Sequence, residues 1–327
     1  MMRFINYQRS EPPYDLFFDR GPRPSPGPAE VLVEVKAFGL NRADLLQRQG
    51  QYPPPPAASD ILGLECSGMI CELGQDVTRW KIGDEVCGLV DGGAYASYCA
   101  MDQGMIWKKP DLLSWDEAAA IPEAFLTAYQ ALFVLMDVTA MDHVLIHAAA
   151  SGVGSAAIRL LEGIDIKKWG TASGAKKSFC LEAGYDEMID YQRESFLDVI
   201  QRGTGQQGVN GIVDFVGASN FQDNLRALSL DGKMVMLGFL GGVQVEDLNI
   251  ASIIRRRLHI LGSTLRSRSR EYKRELVSGF LSKFGDQMAT GAIRPHIFQS
   301  LNWEEIARAH SLMFSNLNKG KIVLTIR

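Results

Sequence analysis

The run HVLIHAAASGVGSAAIRLLE, residues 143–162, constrains this chain more than any other stretch. HVLIHAAA is an uninterrupted apolar run bounded by turn residues, the pattern of a strand buried on both faces. SGVGSAAIRLLE then reads as a small-residue turn opening a helix. Further strand candidates follow at 187–191 (EMIDY), 211–217 (GIVDFVG), 233–239 (KMVMLGF) and 258–263 (LHILGS), with helical stretches such as ESFLDVIQR at 194–202 between them. Strands alternating with helices require right-handed crossovers, so the middle of the chain is expected to form a doubly wound parallel sheet, an α/β fold.

The turn at 147–157 carries Ser151, Gly152, Val153 and Gly154. Small residues let a backbone approach a ligand closely, and the free N–H groups at a helix start suit a pyrophosphate. Two of the three glycines of the usual fingerprint are Ala148 and Ser151 here, so a tight strand-to-helix turn with no ligand is an equal reading of this pattern alone. About twenty residues further on, an acidic residue ordinarily grips the adenosine ribose. This chain instead reads TASGAKKS at 171–178. Ser173, Gly174 and Lys177 offer a hydroxyl, a flexible turn and an ammonium, which suit a ribose bearing a 2′-phosphate, where an acid would repel. Asp165 is the nearest acid in sequence and is expected in a surface loop. The approach LEGIDIKKWGTA is a poor buried strand. It predicts either a short strand starting near Trp169 or a remodelled crossover.

The first 120 residues are strand-rich. EVLVEVKAFGL, SGMICELG, GDEVCGLV and AYASYCAM are short apolar or alternating runs separated by Gly, Pro and Asp clusters. AFLTAYQALFVLMDV has helical spacing, as does REYKRELVSGFLSKF near the end, and KIVLTIR closes the chain as a strand. A length of 327 residues fits two domains, with the tail expected to rejoin the first. Five scattered cysteines without a C-x-x-C pair favour reduced thiols, and the amino-terminal MMRFINYQRSEPPYDLFF is too interrupted by charge for a signal peptide. No apolar run is long enough to span a membrane, so a cytoplasmic location is expected. A net charge of −4 argues against general nucleic-acid binding. The basic run Arg255–Arg257 with Arg266, Arg268, Arg270, Lys273 and Arg274 is diluted by Glu271 and Glu275 and reads as a solvated helix face.

LNRADLLQRQGQYPPPP (40–56), ILGLECSG (61–68), WKIGDEVCGL (80–89), AAAIPEAFLTAYQAL (118–132), VLIHAAASGVG (144–154), GSTLRSR (262–268) and NLNKGKIVL (316–324) together resemble the zinc-independent quinone oxidoreductases of the medium-chain dehydrogenase/reductase superfamily, most closely their p53-inducible branch. The resemblance implies a GroES-like β-rich catalytic domain at 1–123 and 267–327, split by a Rossmann domain at 124–266 that binds NADPH. It implies reduction of quinones by a homodimer joined edge to edge through the Rossmann sheet. Zinc members of the superfamily use a Cys and a His, which correspond here to Asn41 and Leu64, and neither replaces thiolate or imidazole, so no metal is expected.

Cofactor contacts implied by the matching motifs are Asn41, Thr127, Tyr191, Gly217, Gly238, Phe239, Leu240, Leu265, Arg266 and Asn316, with Lys321 serving the cofactor phosphates. Hydride transfer to an electrophilic quinone needs little beyond hydrogen-bond donors near its oxygen, and Asn41 and Tyr52 are the candidate catalytic groups. For Tyr52 a packing role against the Pro53–Pro56 run stands beside the substrate-site role. A reductase of α,β-unsaturated carbonyls is the alternative activity, and it would be marked by a positioned acid. A weakly active NADPH- or RNA-binding protein is the third. His147, inside the buried strand, reads as a core histidine.

Overall fold

The computed structural model describes residues 1–8, 15–56 and 58–327. Part of the amino-terminal stretch read above as no signal peptide therefore lies outside the described residues. The amino-terminal segment forms β1 (Met2–Tyr7), β2 (Leu16–Gly21), β3 (Glu30–Leu40), α1 (Arg42–Arg48), β4 (Glu65–Leu73), β5 (Glu85–Leu89), β6 (Tyr98–Asp102), β7 (Ile106–Lys108), α2 (Trp115–Ala119) and α3 (Pro122–Tyr129). The middle segment adds β8 (His143–Ile146), α4 (Gly152–Leu160), β9 (Lys167–Ala172), α5 (Lys177–Ala183), β10 (Glu187–Asp190), α6 (Phe196–Gly203), β11 (Val209–Asp214), α7 (Ala218–Ala227), β12 (Leu228–Met236), α8 (Ala251–Arg255) and β13 (His259–Gly262). The chain closes with α9 (Arg270–Ala289), β14 (Ile297–Asn302), α10 (Ile306–Phe314) and β15 (Lys321–Thr325).

Two compact units result, one of Met1–Leu126 with Leu265–Arg327, the other of Thr127–Thr264. In the first, a sheet runs β14-β15-β3-β4-β5-β7 with β6 also paired to β3, and β1 pairs with β2. Its core gathers Ile5, Val33, Phe38, Leu40, Tyr95, Met101, Ile322 and Leu324. These are the inward residues of the alternating runs. The β-rich GroES-like architecture expected of these residues is present.

The second unit is a six-stranded sheet in the order β10-β9-β8-β11-β12-β13, parallel throughout. Leu145, Trp169, Ile189, Ile212 and Met234 fill its core. Strand order reverses between β8 and β11, and the turn after β8 leaves at that switch point, where doubly wound sheets bind ligands.

Three local expectations need correction. β9 is neither as short as expected nor displaced: it begins at Lys167 and includes both lysines. They are tolerated because they sit at its amino-terminal end. Lys167 stays exposed with its ammonium 4.6 Å from the Trp169 ring centroid. The Lys168 backbone N–H donates to Asp186 Oδ2 at 2.7 Å while its ammonium lies 3.7 Å from the same carboxylate. Gly170 then fits where the strand is most crowded, since a Cβ there would lie 2.6 Å from Met188 Sδ and 2.8 Å from Ala149 Cβ. The expected helix over 124–138 divides into α3 and a π-helical turn, Gln130–Leu135. The strand expected at 233–239 ends at Met236, which leaves Gly238, Phe239 and Leu240 in the following loop. No helix among the described residues is long and apolar enough to cross a membrane.

Candidate active site

In the parallel unit, the turn after β8 is built around Ala148, whose φ is +48°, and Ser151, which caps α4 by accepting the Gly154 N–H on its Oγ at 3.0 Å. The N–H groups of Gly152 and Val153, in the first turn of a nine-residue helix, have no ladder partner by position. Gly154 is required for close packing: a Cβ there would lie 2.5 Å from the Ala149 carbonyl oxygen and 2.7 Å from that of Ala148. The Tyr185 hydroxyl donates to the Gly154 carbonyl at 2.9 Å and pins the helix from the other side. Strand, small-residue turn, capped helix and free first-turn donors fit a pyrophosphate.

The segment after β9 places Ser173, Gly174 and Lys177 at the sheet's carboxyl end, with Tyr191 just past β10 and exposed. Gly174, Ala175, Lys177, Asp190, Gln192, Arg193 and Glu194 line a surface depression there. The nearest acid in space is Asp190 rather than Asp165. A Cβ on Gly174 would meet its Oδ2 at 2.5 Å. Asp190 is nearly buried, accepts the Gln192 N–H at 3.1 Å and lies 3.7 Å from the Arg193 guanidinium, so its charge is partly engaged. Sequence distance hid this acid because β10 brings it beside β9 only through the parallel pairing Asp190–Ala172.

Elsewhere in this unit, Gly217 has φ +81° and caps α7, with its N–H donating to Asp214 Oδ2 at 3.1 Å. Phe239 and Leu240 are exposed in the loop after β12, and Thr127 is partly exposed on α3. His147 is fully buried between the Thr171 hydroxyl at 2.9 Å from Nδ1 and Asn224 Oδ1 at 2.7 Å from Nε2, an arrangement that holds a neutral Nε2–H imidazole. Burial lowers its pKa.

The GroES-like unit carries a different kind of site. Lys321 and Glu65 are 3% and 0% exposed along their side chains and form an ion pair at 2.5 Å. Lys321 Nζ also donates to Asn41 Oδ1 at 2.7 Å and to the Leu40 carbonyl at 3.0 Å, while Asn41 Nδ2 donates to Glu65 Oε1 at 2.9 Å. The Glu123 N–H, at the start of α3, donates to Glu65 Oε2 at 2.8 Å. One carboxylate therefore ties Asn41, Lys321 and Glu123 together. Two expectations change. All three Lys321 donors are taken by protein oxygens, so Lys321 positions Asn41 and does not reach a phosphate. Asn41 Nδ2 donates to Glu65 at 2.9 Å and more weakly to the Gly39 carbonyl at 3.5 Å, so both amide donors point into this network and not toward an acceptor oxygen.

Behind Asn41, Asp44 is fully buried and accepts from the Asn41 N–H at 2.8 Å, the Gly63 N–H at 3.1 Å and the Tyr95 hydroxyl at 3.1 Å. Burial pushes its carboxyl up to about 6, against the pull of these bonds and of Lys321. Tyr95 also meets His310 Nε2 at 3.3 Å, and His310 Nδ1 meets Arg48 at 3.2 Å. Burial, then Arg48, hold His310 neutral with its pKa lowered to about 3. Asn316, with φ +55° and exposed, accepts from Arg42 on its Oδ1 at 2.5 Å, so its amide oxygen braces α1.

Arg266 is buried and belongs to this unit, with Leu265, not to the Rossmann unit. Its Nε and Nη2 donate to the Asp91 carbonyl at 2.9 and 2.7 Å, its Nη1 is buried with no partner, and its guanidinium carbon lies 5.7 Å from the Tyr52 ring centroid. The Tyr52 phenol is raised by burial and by Glu123, against Arg266. Much of the basic run is consumed locally: Arg257 pairs with Asp231, Arg270 with Glu30, Arg274 with Asp102 and Lys273 with Asp91. Those contacts leave little of it as a phosphate-binding face.

Sequence reasoning missed Glu65 and Glu123 as site residues. The signal was there: each is a lone acid inside an apolar run, in LGLECSG and AAAIPEAFL.

A dinucleotide turn on a doubly wound sheet, joined in one chain to a GroES-like β-unit, defines a nicotinamide-dependent oxidoreductase of the medium-chain dehydrogenase/reductase superfamily. The alcohol dehydrogenase GroES-like domain family matches residues 27–111, and the zinc-binding dehydrogenase family matches residues 152–282. Quinone oxidoreductase-like protein 2 of Bos taurus is 32% identical over 94% of this chain and 87% of its own length. The synaptic vesicle membrane protein VAT-1 homolog of Danio rerio is 29% identical over 93% of this chain, which spans only 65% of that relative. Among solved structures, mycobacterial Rv1454c complexed with NADPH superposes with a TM-score of 0.88 at 26% identity, covering 99% of this chain and all of the other (100%). The CurK enoyl reductase does so with a TM-score of 0.84 at 26% identity over 95% of each chain. The chain belongs to the quinone oxidoreductase-like family of that superfamily.

Proposed function

We propose that this protein is an NADPH-dependent quinone reductase of the p53-inducible type, working without metal or flavin. The observation that carries the reading is the Asn41–Lys321–Glu65 network. Where zinc members of the superfamily place metal ligands, this chain holds an amide locked between an ammonium and a carboxylate, next to the apolar Leu64. Polarising an acceptor carbonyl then falls to hydrogen-bond donors of the protein, and a quinone, already electrophilic, needs no more.

The first-turn donors at Gly152 and Val153, with Ser151 and Gly154 shaping the turn, would hold the pyrophosphate. Ser173, Gly174, Lys177 and Tyr191 would hold the phosphorylated adenosine ribose, and Thr127, Gly217, Gly238, Phe239 and Leu240 the remainder of the cofactor. The bound nicotinamide supplies a hydride. The protein's own residues orient the acceptor and manage its charge: the Tyr52 phenol donates to the acceptor oxygen and its ring lines a flat substrate, while Arg266 brings a cation against the same ring. Reduction of an α,β-unsaturated carbonyl is the second reading, favoured by one observation, the acid at Glu123. The open edge of β13 supports a homodimer joined sheet to sheet, and five free cysteines support a reducing, cytoplasmic setting.

The cofactor preference is tested by titration. Lys177→Ala is expected to raise the Kd for NADPH about tenfold, the loss of one charge-assisted phosphate contact, and to leave that for NADH unchanged. Equal wild-type affinities for the two cofactors would sink the 2′-phosphate assignment.

A further inference from the structure

We infer that Asp190 limits the preference for NADPH: its carboxylate accepts a ribose 2′-hydroxyl, as NADH offers, and opposes a 2′-phosphate. This rests on the NADPH-dependent reading above and adds the residue that sets how strict that dependence is.

After β9 the chain has no acid, only Ser173 and Gly174 before its lysines. The fold supplies one from the next strand. β10 runs parallel beside β9, and the pairing of Asp190 with Ala172 brings a carboxylate to the same end of the sheet. That carboxylate takes the place where a side chain at position 174 would stand. A Cβ on Gly174 would lie 2.5 Å from Asp190 Oδ2 and 3.3 Å from its Cγ. Glycine at 174 is therefore what lets an acid on β10 substitute for one on β9.

Only one oxygen of Asp190 is committed. Oδ1 accepts the Gln192 N–H at 3.1 Å. Oδ2 accepts no hydrogen bond among the described residues. Its ion pair with Arg193 spans 3.7 Å to a side chain that is 87% exposed, too long for a hydrogen bond and open to screening by salt. A nearly buried carboxylate with an unfilled oxygen is suited to receive a donor.

Lys177 is its counterpart. It is exposed and lines the same surface depression as Gly174 and Asp190. Its ammonium forms no ion pair or hydrogen bond with Asp190 or with any other described residue. Opposite charges that line one depression without pairing are both available to a ligand. The charged residues of this depression, Lys177, Asp190, Arg193 and Glu194, are two of each sign. A site built only for a phosphorylated ribose would carry an excess of cations. A hydroxyl donates to a carboxylate, whereas a phosphate dianion cannot and is repelled. Lys177 therefore favours NADPH, and Asp190 favours NADH.

The test is calorimetric titration of the full chain with NADPH and with NADH, for wild type and Asp190→Asn. Asparagine keeps the shape and an acceptor for the Gln192 N–H, and it removes the charge. The Kd for NADPH should fall about fivefold, the relief of one screened repulsion, and that for NADH should rise about fivefold, the loss of charge from one hydrogen bond. The two affinities thus move in opposite directions. An Asp190 that only holds its loop would shift both in the same direction or neither. Either result overturns the inference and leaves the reductase reading standing. A wild-type protein that binds neither cofactor defeats both. Should Asp190→Asn not fold, wild type decides alone, with adenosine 5′-diphosphate and its 2′-deoxy form as probes. The 2′-deoxy form should bind about fivefold more weakly, and equal affinities overturn the proposal.

Discussion

Lys321→Met is expected to cost about 3–5 kcal/mol of folding stability, the usual penalty for removing one partner of a buried ion pair. The reason lies in Glu65. Its side chain is 0% exposed, and it would keep only the N–H donors of Asn41 and Glu123 after losing its ammonium. Asn41 Oδ1 and the Leu40 carbonyl would lose a donor as well. The double variant Glu65→Gln with Lys321→Met should recover a good part of the loss, because no uncompensated charge then remains buried. Urea unfolding of the single and double variants measures this directly. A loss below about 1 kcal/mol for Lys321→Met, the range of exposed pairs, would show that Lys321 is not the buried anchor described here.

Gly154→Val should weaken NADPH binding about ten- to hundredfold. A Cβ at this position lies 2.5 and 2.7 Å from two backbone carbonyl oxygens, and backbone cannot step aside as a flexible side chain can. The start of α4 must therefore move, at an overpacking cost of about 1–3 kcal/mol. It must move against the Tyr185 hydroxyl bound to the Gly154 carbonyl. The same displacement breaks the Ser151 cap and swings the Gly152 and Val153 N–H groups off their target. Calorimetric titration with NADPH reads the result. Unchanged affinity in a folded Gly154→Val protein would mean that this turn does not carry the cofactor's phosphates.

What the sequence made legible was whatever repeats along the chain. The alternation of apolar runs and helices marked the parallel sheet, and the small residues after HVLIHAAA marked the turn. What it hid depends on pairing in space. Glu65 and Lys321 are 256 residues apart, and nothing local to either announces the other. Lys321 looks like a phosphate-seeking lysine in NKGKIVL until the fold buries it on β15 against β3. The lysines of β9 look unfit for a buried strand because alternation rules ignore which end of a strand a residue occupies. Asp190 looks remote from Ser173 because the chain passes through α5 before β10 brings it back. Each miss has the same physical source: charge in an apolar run is read as surface, whereas a fold can neutralise it with a partner from a distant segment.

The central claim is a protein that moves electrons from NADPH to a quinone without a metal. The most direct test is initial-rate oxidation of NADPH and NADH by the chelator-treated protein, with a benzoquinone, an enone and no acceptor in parallel. The account predicts turnover with the benzoquinone that is unchanged by chelation, faster with NADPH than with NADH at equal concentration. Loss of that turnover on chelation with recovery on adding zinc, or tight NADPH binding with no oxidation by any acceptor, would contradict it.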